Sequence, residues 1–121
     1  MHNPDIEYKV LKILEQDPKL TQRELANELG LSLGKTHYVI RALVDRGWLK
    51  LKNFRRSNHK AGYAYYLTKK GLVEKSYLGV TFLRRKQVEY DLLQKEIKEL
   101  KLEVNPTENI DNEPSKKKVI K

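Results

Sequence analysis

The chain has 121 residues, no cysteine and a net charge of +9, from 25 Lys and Arg against 16 Asp and Glu. Its length suits one small domain, and the lack of cysteine excludes disulfide frameworks, cysteine zinc sites and thiol nucleophiles. Since no uncharged stretch approaches a membrane span and the N-terminus has no apolar core of signal-peptide length, we expect a soluble, cytoplasmic protein with no membrane partner.

The first third of the chain predicts two helices in succession. Residues 4–16 carry apolar side chains at helical spacing, and one face holds Ile6, Val10, Ile13 and Leu14. "QDPK" then breaks the pattern. In "TQRELANEL", Thr21 and Glu24 match a capping box that opens a second helix, with Leu25, Ala26 and Leu29 on its buried side. Gly30 ends it, because glycine readily adopts the left-handed conformation.

Residues 33–46 predict a third helix, which Ser32 caps and Gly47 ends. Its apolar face holds Leu33, Val39, Ile40 and Leu43, with Thr36 and Val44 at the edges. We expect Thr36 to be buried against the second helix. The side chains that this arrangement turns outward are Lys35, His37, Tyr38 and Arg41.

The segment "GLSLGKTH" (30–37) contains a Gly-Lys-Thr triplet, which also occurs in the phosphate loops of nucleotide-hydrolysing enzymes. That loop needs G-x-x-x-x-G-K-[ST] after a buried strand. Here the spacing from Gly30 to Gly34 is one residue short, and the preceding "ELANEL" has helical periodicity. The pattern instead favours a helix–turn–helix. We predict no enzyme activity, no metal site and no cofactor, because no nucleophile–base pair or metal-ligand spacing is present.

A basic hairpin follows the third helix. "WLKLKNF" (48–54) and "YAYYLT" (63–68) predict two strands, joined by the loop 55–62. Residues 53–71 hold five basic and no acidic side chains, which is more than half of the net charge and suits a polyanionic partner. Trp48 and the tyrosines 63, 65 and 66 resemble a base-stacking platform, but packed hairpin faces are the simpler interpretation. The predicted fold class is mainly α with a small β-hairpin.

From Thr68 the helical period runs on to about Val104, and Asn105-Pro106 ends it. A heptad seam, interrupted by Lys86, predicts dimerisation as a coiled coil through Leu83, Tyr90, Leu93, Ile97, Leu100 and Val104. The alternative is that Leu78, Phe82 and Leu83 fold back on the first helix while the rest stays exposed. The predicted organisation is a DNA-binding domain at 4–71, a dimerisation helix at 72–104 and a disordered tail at 105–121.

The segments "TQRELANELGLSLGKTHYVIRALVDRGWLK" and "NFRRSNHKAGYAYYLTKKG" resemble MarR-type transcriptional regulators, in particular a short subgroup associated with exopolysaccharide gene clusters. The resemblance covers roughly residues 4–104. It implies a winged helix-turn-helix, followed here by a long C-terminal helix. Larger MarR proteins carry extra helical segments before the domain, whereas this chain has little before Ile6. The sequence therefore does not by itself predict the usual dimer interface or small-molecule pocket, and it leaves open whether a small-molecule effector exists.

These observations predict a sequence-specific, double-stranded DNA-binding transcriptional regulator that acts as a homodimer. The third helix would enter the major groove of the DNA. The loop 55–62, which forms the basic wing, would contact the DNA backbone or the minor groove. The predicted DNA-binding residues are Gln22, Arg23, Ser32, Gly34, Lys35, His37, Tyr38, Arg41, Arg55, Arg56, Asn58 and Lys60. The alternative is a winged-helix module for protein–protein interaction that lacks sequence-specific DNA binding.

Overall fold

The computed structural model describes residues 3–55 and 61–105. Within these ranges, four helices and an antiparallel hairpin follow one another as α1 (Pro4–Gln16), α2 (Gln22–Leu29), α3 (Leu33–Asp45), β1 (Leu49–Arg55), β2 (Ala61–Leu67) and α4 (Lys69–Val104). The predicted fold class is confirmed: the protein is a winged helix-turn-helix followed by a long C-terminal helix. No helix in the described ranges has the length and apolar character required to cross a membrane.

The chain falls into two compact units, Met1–Phe82 and Leu83–Lys121. The first unit contains α1, α2, α3, the hairpin and the beginning of α4. In the described part of the second unit, the chain continues as the same helix to Val104. Helix α4 therefore belongs to both units, and its 36 residues make it the longest element of the described chain.

The helices begin where the sequence predicts, because side chains satisfy their first backbone amides. The Thr21 hydroxyl accepts from the Glu24 amide, while the Glu24 carboxylate accepts from the Thr21 amide at 2.8 Å. This reciprocal pair is the predicted capping box. Ser32 Oγ accepts from the Lys35 amide at 3.1 Å and caps α3. Asn3 caps α1 by accepting from the Ile6 amide.

Two glycines with positive φ turn the chain at the ends of α2 and α3. Gly30 has φ 70° and ψ 32°, and the following amide of Leu31 donates to the Ala26 carbonyl. Gly47 has φ 81°, and the Trp48 amide donates to the Leu43 carbonyl. Because residues with a Cβ rarely adopt this conformation, glycine is favoured at both turns. The first turn sets the direction in which α3 leaves α2.

One hydrophobic core joins the three short helices to the hairpin. Its buried members are Val10, Leu11, Leu14, Leu25, Val39, Ile40, Leu43, Leu49 and Tyr65. Thr36 is fully buried, as the sequence predicted, and its hydroxyl donates to the Ser32 carbonyl. Burial of these side chains leaves the opposite face of α3 exposed.

The core also differs from the predicted one. Leu33, expected on the apolar face of α3, is 42% exposed. It lies in the first turn, and helical side chains lean toward the N-terminus, so Leu33 projects beyond the packed residues. Leu11 is fully buried although the predicted face of α1 did not include it. The apolar stripe of α1 is therefore wider than four residues.

The hairpin is attached to the helices through backbone contacts. Its strands pair from Leu49 opposite Leu67 to Arg55 opposite Ala61. The Tyr65 amide donates to the Pro18 carbonyl, so the α1–α2 connection runs beside β2. The Trp48 carbonyl accepts from the Thr68 amide, and a Cβ added to Gly71 would collide with that carbonyl oxygen. The start of α4 is thereby held against the start of β1.

The beginning of α4 also packs on α1 within the first unit. The rings of Tyr8 and Phe82 stack with their centroids 5.1 Å apart, and Leu78 packs against the core. Lys75 Nζ lies 2.7 Å from a carboxylate oxygen of Glu15. The fold-back that the sequence offered as an alternative is thus seen for Leu78 and Phe82, whereas Leu83 is exposed.

Candidate nucleic-acid interface

Helix α3 presents a polar face to solvent. Thr36, Val39, Ile40 and Leu43 form its buried side. At 100° per residue, Gly34, Tyr38 and Arg41 lie opposite that side, and Lys35 and His37 flank them. All five are exposed. The periodicity of one helix therefore divides the sequence-predicted residues of this segment from the core and gathers them on one surface.

The Gly-Lys-Thr triplet lies in the first turn of α3. It follows helix α2 and a short turn, so the strand that a phosphate loop requires is replaced by a helix. Gly34 has open space beside it, since among the described residues no heavy atom beyond its chain neighbours and its own helix backbone lies within 4 Å of an added Cβ. Lys35 is exposed, whereas Thr36 is buried. The triplet starts the exposed helix of a helix–turn–helix.

Gln22 links the exposed helix to the hairpin. Its Nε2 donates to the hydroxyl of Tyr65 at 3.1 Å, and its Oε1 lies 3.2 Å from Nδ1 of His37. Tyr65 is buried on β2, while His37 is exposed on α3. The Gln22 amide, at the start of α2, therefore contacts both elements and restrains the His37 ring. Sequence reasoning assigned Gln22 to a phosphate and missed these partners, because they lie 15 and 43 residues away in the chain.

The cations around α3 are weakly restrained. Arg23 and Lys35 are exposed. Arg41 Nε lies 3.8 Å from a carboxylate oxygen of Asp45, and both side chains are 68% exposed. An exposed ion pair of this kind contributes only about 0.3–0.5 kcal/mol, so Arg41 can exchange its partner at little cost. By contrast, Arg46 is held inside the fold by the buried carboxylate of Glu7 at 3.0 Å and by the ring of Trp48.

The wing is described up to the end of β1 and from the start of β2. Arg55 is exposed at the last position of β1, opposite Ala61. Arg56, Asn58 and Lys60 lie outside the described residues. Of the predicted wing cations, the structure therefore locates Arg55 alone, at the described end of the hairpin.

The aromatic residues of the hairpin have different environments. Tyr65 is buried in the core, and Trp48 is partly buried and packs against this core. Lys52 Nζ lies 5.9 Å from the centre of the Tyr66 ring. Tyr63 is exposed. Packing rather than a shared stacking surface accounts for Tyr65 and Trp48, as the simpler interpretation of the sequence predicted.

The C-terminal part of α4 carries an uncovered apolar seam. In the second unit, every seam residue is exposed: Leu83, Tyr90, Leu93, Ile97, Leu100 and Val104. Exposed fractions run from 43% at Ile97 to 71% at Val104. Contiguous exposed apolar side chains of this kind are typical of an interaction surface.

A family model described as winged helix-turn-helix DNA-binding matches residues 4–50. The PcaV transcriptional regulator from Streptomyces coelicolor, solved with its natural ligand, is 26% identical over 88% of this chain and 76% of that chain, with a TM-score of 0.64. A PadR-like transcriptional regulator from Bacillus cereus is 19% identical over 73% and 90% of the two chains, with a TM-score of 0.65. A MarR/EmrR family regulator from Acinetobacter sp. ADP1 is 18% identical over 84% and 75%, with a TM-score of 0.54.

At 19% and 18% identity, the similarity to the PadR-like regulator and to the MarR/EmrR family regulator shows a shared fold alone. No curated protein matches the chain. The matched segment covers α1, α2, α3 and the first residues of the hairpin, which are the elements that build the candidate interface. Residues 4–50 are thus similar to winged helix-turn-helix DNA-binding domains, and the proteins that share the fold of this chain include transcriptional regulators, one of them of the MarR/EmrR family.

Proposed function

We propose that this winged helix-turn-helix protein is a sequence-specific transcriptional regulator that binds double-stranded DNA. The observation that carries the proposal is the exposed face of α3, where Tyr38 and Arg41 lie opposite the buried side of the helix and Lys35 flanks them. An α-helix fits the major groove of B-DNA, and in a helix–turn–helix the second helix enters it with its N-terminal residues toward the bases. We also propose the cytoplasmic localisation that the sequence predicts.

In this proposal, each exposed group of α3 has a role that suits its chemistry. Lys35 and Arg41 donate to guanine edges or phosphates, because both carry only hydrogen-bond donors. Tyr38 contacts a thymine methyl group or a phosphate, and His37 contacts a base edge. Gly34 allows the backbone to approach the DNA closely, since the space beside it is open.

The flanking elements hold the DNA backbone. Arg23, near the N-terminus of α2, binds a phosphate together with the backbone N–H of Gln22. The side chain of Gln22 is engaged within the protein by Tyr65 and His37. Ser32 caps α3 and keeps its first turn directed at the groove. Arg55, with the predicted contacts Arg56, Asn58 and Lys60, reaches the backbone or an adjacent minor groove.

The proposed regulator is a homodimer. Residues 4–71 bind DNA, and residues 72–104 pair two copies through the exposed seam Leu83, Tyr90, Leu93, Ile97, Leu100 and Val104. A twofold dimer reads two half-sites and so gains specificity that one short helix lacks. Membership of the exopolysaccharide-associated MarR subgroup stays a prediction from the sequence resemblance. The disordered tail at 105–121 was predicted from its polar, charged composition, and from residue 106 onward it lies outside the described residues.

The test is duplex binding measured by fluorescence anisotropy over a salt series, with sites selected from a random library. We expect selection of a defined motif and a linear fall of log affinity with log salt. Lys35→Ala and Arg41→Ala should each weaken binding, relaxing specificity where a base contact is lost or lowering the salt slope by about one where a phosphate contact is lost. Lys98→Ala, an exposed change on α4, serves as the matched charge control.

Binding without any salt dependence, or no binding to duplex DNA at all, would contradict the proposal. That result would favour the alternative, in which α3 docks a protein partner. Equal losses from Lys98→Ala and Lys35→Ala would also count against α3, because net charge rather than a defined surface would then explain the affinity.

A further inference from the structure

The exposed seam of α4 has the spacing of a heptad repeat. Written as a and d positions, the a column holds Leu83, Tyr90, Ile97 and Val104, and the d column holds Lys86, Leu93 and Leu100. All apolar members are exposed in the single chain. We propose that a second copy of this helix covers the seam in parallel and in register. This inference rests on the proposed dimer and adds its direction.

The shapes of the seam residues favour a parallel pair. In parallel two-stranded coiled coils, β-branched side chains suit the a layer and leucine suits the d layer. The last two heptads have this distribution, with Ile97 and Val104 at a and Leu93 and Leu100 at d. In an antiparallel pair, each a residue would instead face a d residue of the other copy, and the two kinds of layer would no longer be distinct.

The charges beside the seam favour the same direction. One flank, the g column, holds Glu89, Glu96 and Glu103, and the other flank, the e column, holds Gln87, Gln94 and Lys101. In a parallel pair, each g residue meets the e residue of the next heptad in the other copy. Glu96 then faces Lys101 of the second copy, and Glu89 faces Gln94. Neither contact joins like charges.

An antiparallel pair places g against g and e against e. In the register that faces Tyr90 with Leu100 and Leu93 with Ile97, Glu96 meets Glu96 of the second copy. Glu89 then meets Glu103, and this contact occurs twice in the pair. Like charges at facing positions are destabilising, so the antiparallel arrangement concentrates repulsion where the parallel one has an ion pair.

The parallel pair places Lys86, the polar residue in the d column, opposite Lys86 of the second copy, and this like-charge contact lowers the stability of that layer. The Lys86 Nζ lies 3.1 Å from a carboxylate oxygen of Glu89, in the g column. The ammonium is therefore drawn toward the edge of the seam, while the aliphatic stem can pack along it. A lysine in the seam still costs the pair some stability. The parallel pair also brings both Leu83 residues, where the DNA-binding units lead into the seam, to one end.

The chain contains no cysteine, so single cysteine variants can report the direction without background. Tyr90→Cys and Leu100→Cys are equilibrated separately, and then as a mixture, in a glutathione redox buffer. Disulfide-linked species are identified by mass, since the two substitutions change the mass by different amounts. Val88→Cys, an exposed change outside the seam, is the matched control. Sedimentation of the reduced variants and far-UV circular dichroism establish that each still pairs and folds.

We expect each seam variant to form its own homodimeric disulfide and the mixture to add no linked pair of 90 with 100, because these positions lie about 15 Å apart along a helix. A dominant 90–100 disulfide would overturn the parallel direction while leaving the dimer intact. Linkage of Val88→Cys as efficient as that of the seam variants, or a wild-type chain that sediments as a monomer at micromolar concentration, would overturn the proposal as well.

A charge exchange provides a second measurement. Glu96→Lys and Lys101→Glu should each raise the dimer dissociation constant at least about threefold at low salt, because each places like charges together twice per dimer. The double variant should restore the wild-type value. No restoration would overturn the parallel pair. Wild-type duplex binding is measured separately, so loss of the DNA-binding proposal and loss of the parallel direction give different results.

Discussion

The side-chain amide of Gln22, at the start of α2, donates a hydrogen bond of 3.1 Å to the hydroxyl of Tyr65, a buried residue on β2. The other end of the same amide lies 3.2 Å from Nδ1 of His37 on the exposed face of α3. A side chain predicted to bind a phosphate is thus engaged by the protein itself. The Gln22 side chain would therefore influence DNA binding by orienting the His37 ring.

Replacing Gln22 by Ala should therefore affect selectivity more than fold. We expect the free energy of unfolding to fall by about 1 kcal/mol, the usual net value of a hydrogen bond, in urea titrations followed by Trp48 fluorescence. The preference for the selected site over random duplex should fall because the His37 ring is no longer restrained. Tyr65→Phe, which removes the hydroxyl and keeps the ring, should lower the same preference for the selected site, but by less. Unchanged selectivity in Gln22→Ala would refute this role.

Gly71→Ala should destabilise the domain although alanine favours helices. Helix propensity alone predicts a gain of about 1 kcal/mol. However, the new Cβ would collide with the backbone carbonyl oxygen of Trp48, which cannot move without disturbing its hydrogen bond to the Thr68 amide. We expect a net loss of about 1–3 kcal/mol in thermal or urea unfolding.

Gly34→Ala is the matched control for that change. Gly34 is also helical, but in the described part of the chain the added Cβ meets no atom within 4 Å beyond its own stretch of helix, so stability should stay constant or rise by up to about 1 kcal/mol. Affinity for duplex DNA should nevertheless fall if the backbone approaches DNA at this position. A variant that is destabilised, or that binds as tightly as the wild type, would contradict the proposed role of Gly34.

The buried pair of Glu7 and Arg46 should show strong coupling. The Glu7 carboxylate is 6% exposed and lies 3.0 Å from the Arg46 guanidinium. Arg46→Met leaves a buried carboxylate without that cation, and we expect a loss of about 3 kcal/mol in unfolding free energy. Glu7→Met combined with Arg46→Met should cost much less than the two single losses together. Additive losses in this double-mutant cycle would show that the two side chains act independently.

Leu93→Asp combined with Ile97→Asp should yield monomers in light scattering and weaken binding to the selected site. Both residues lie on the exposed seam, and two carboxylates there cannot be buried between helices without a large desolvation cost. Because neither residue belongs to the core, unfolding of the first unit should be unchanged. An unchanged molecular mass would remove the seam as the dimer interface. Leu92→Asp, an exposed position outside the seam, is the control.

Local features of the fold could be predicted from the sequence, whereas contacts between distant segments could not. The capping box at Thr21, the turn at Gly30 and the Ser32 cap depend on residues within four positions of one another. The contact of Gly71 with Trp48 and the pairing of Glu7 with Arg46 join segments that only the folded chain brings together. In the candidate site, helical periodicity identified the exposed face of α3, but it carried no information on the partners of Gln22.

Asp45→Asn should strengthen binding to DNA of any sequence. Asp45 lies on the same face of α3 as Arg41, and its carboxylate oxygen is 3.8 Å from the Arg41 Nε. The substitution removes one negative charge that would repel phosphates and releases the guanidinium to donate to the DNA. The lost i,i+4 pair should cost the helix no more than about 0.5 kcal/mol. We therefore expect higher affinity in anisotropy titrations on random duplex, with the largest gain at low salt because screening weakens the effect.

Asp91→Asn makes the same change of charge on α4 and should have a smaller effect. Equal gains from both variants would indicate that net charge alone governs binding, and a loss of affinity in Asp45→Asn would argue against contact of this face with DNA.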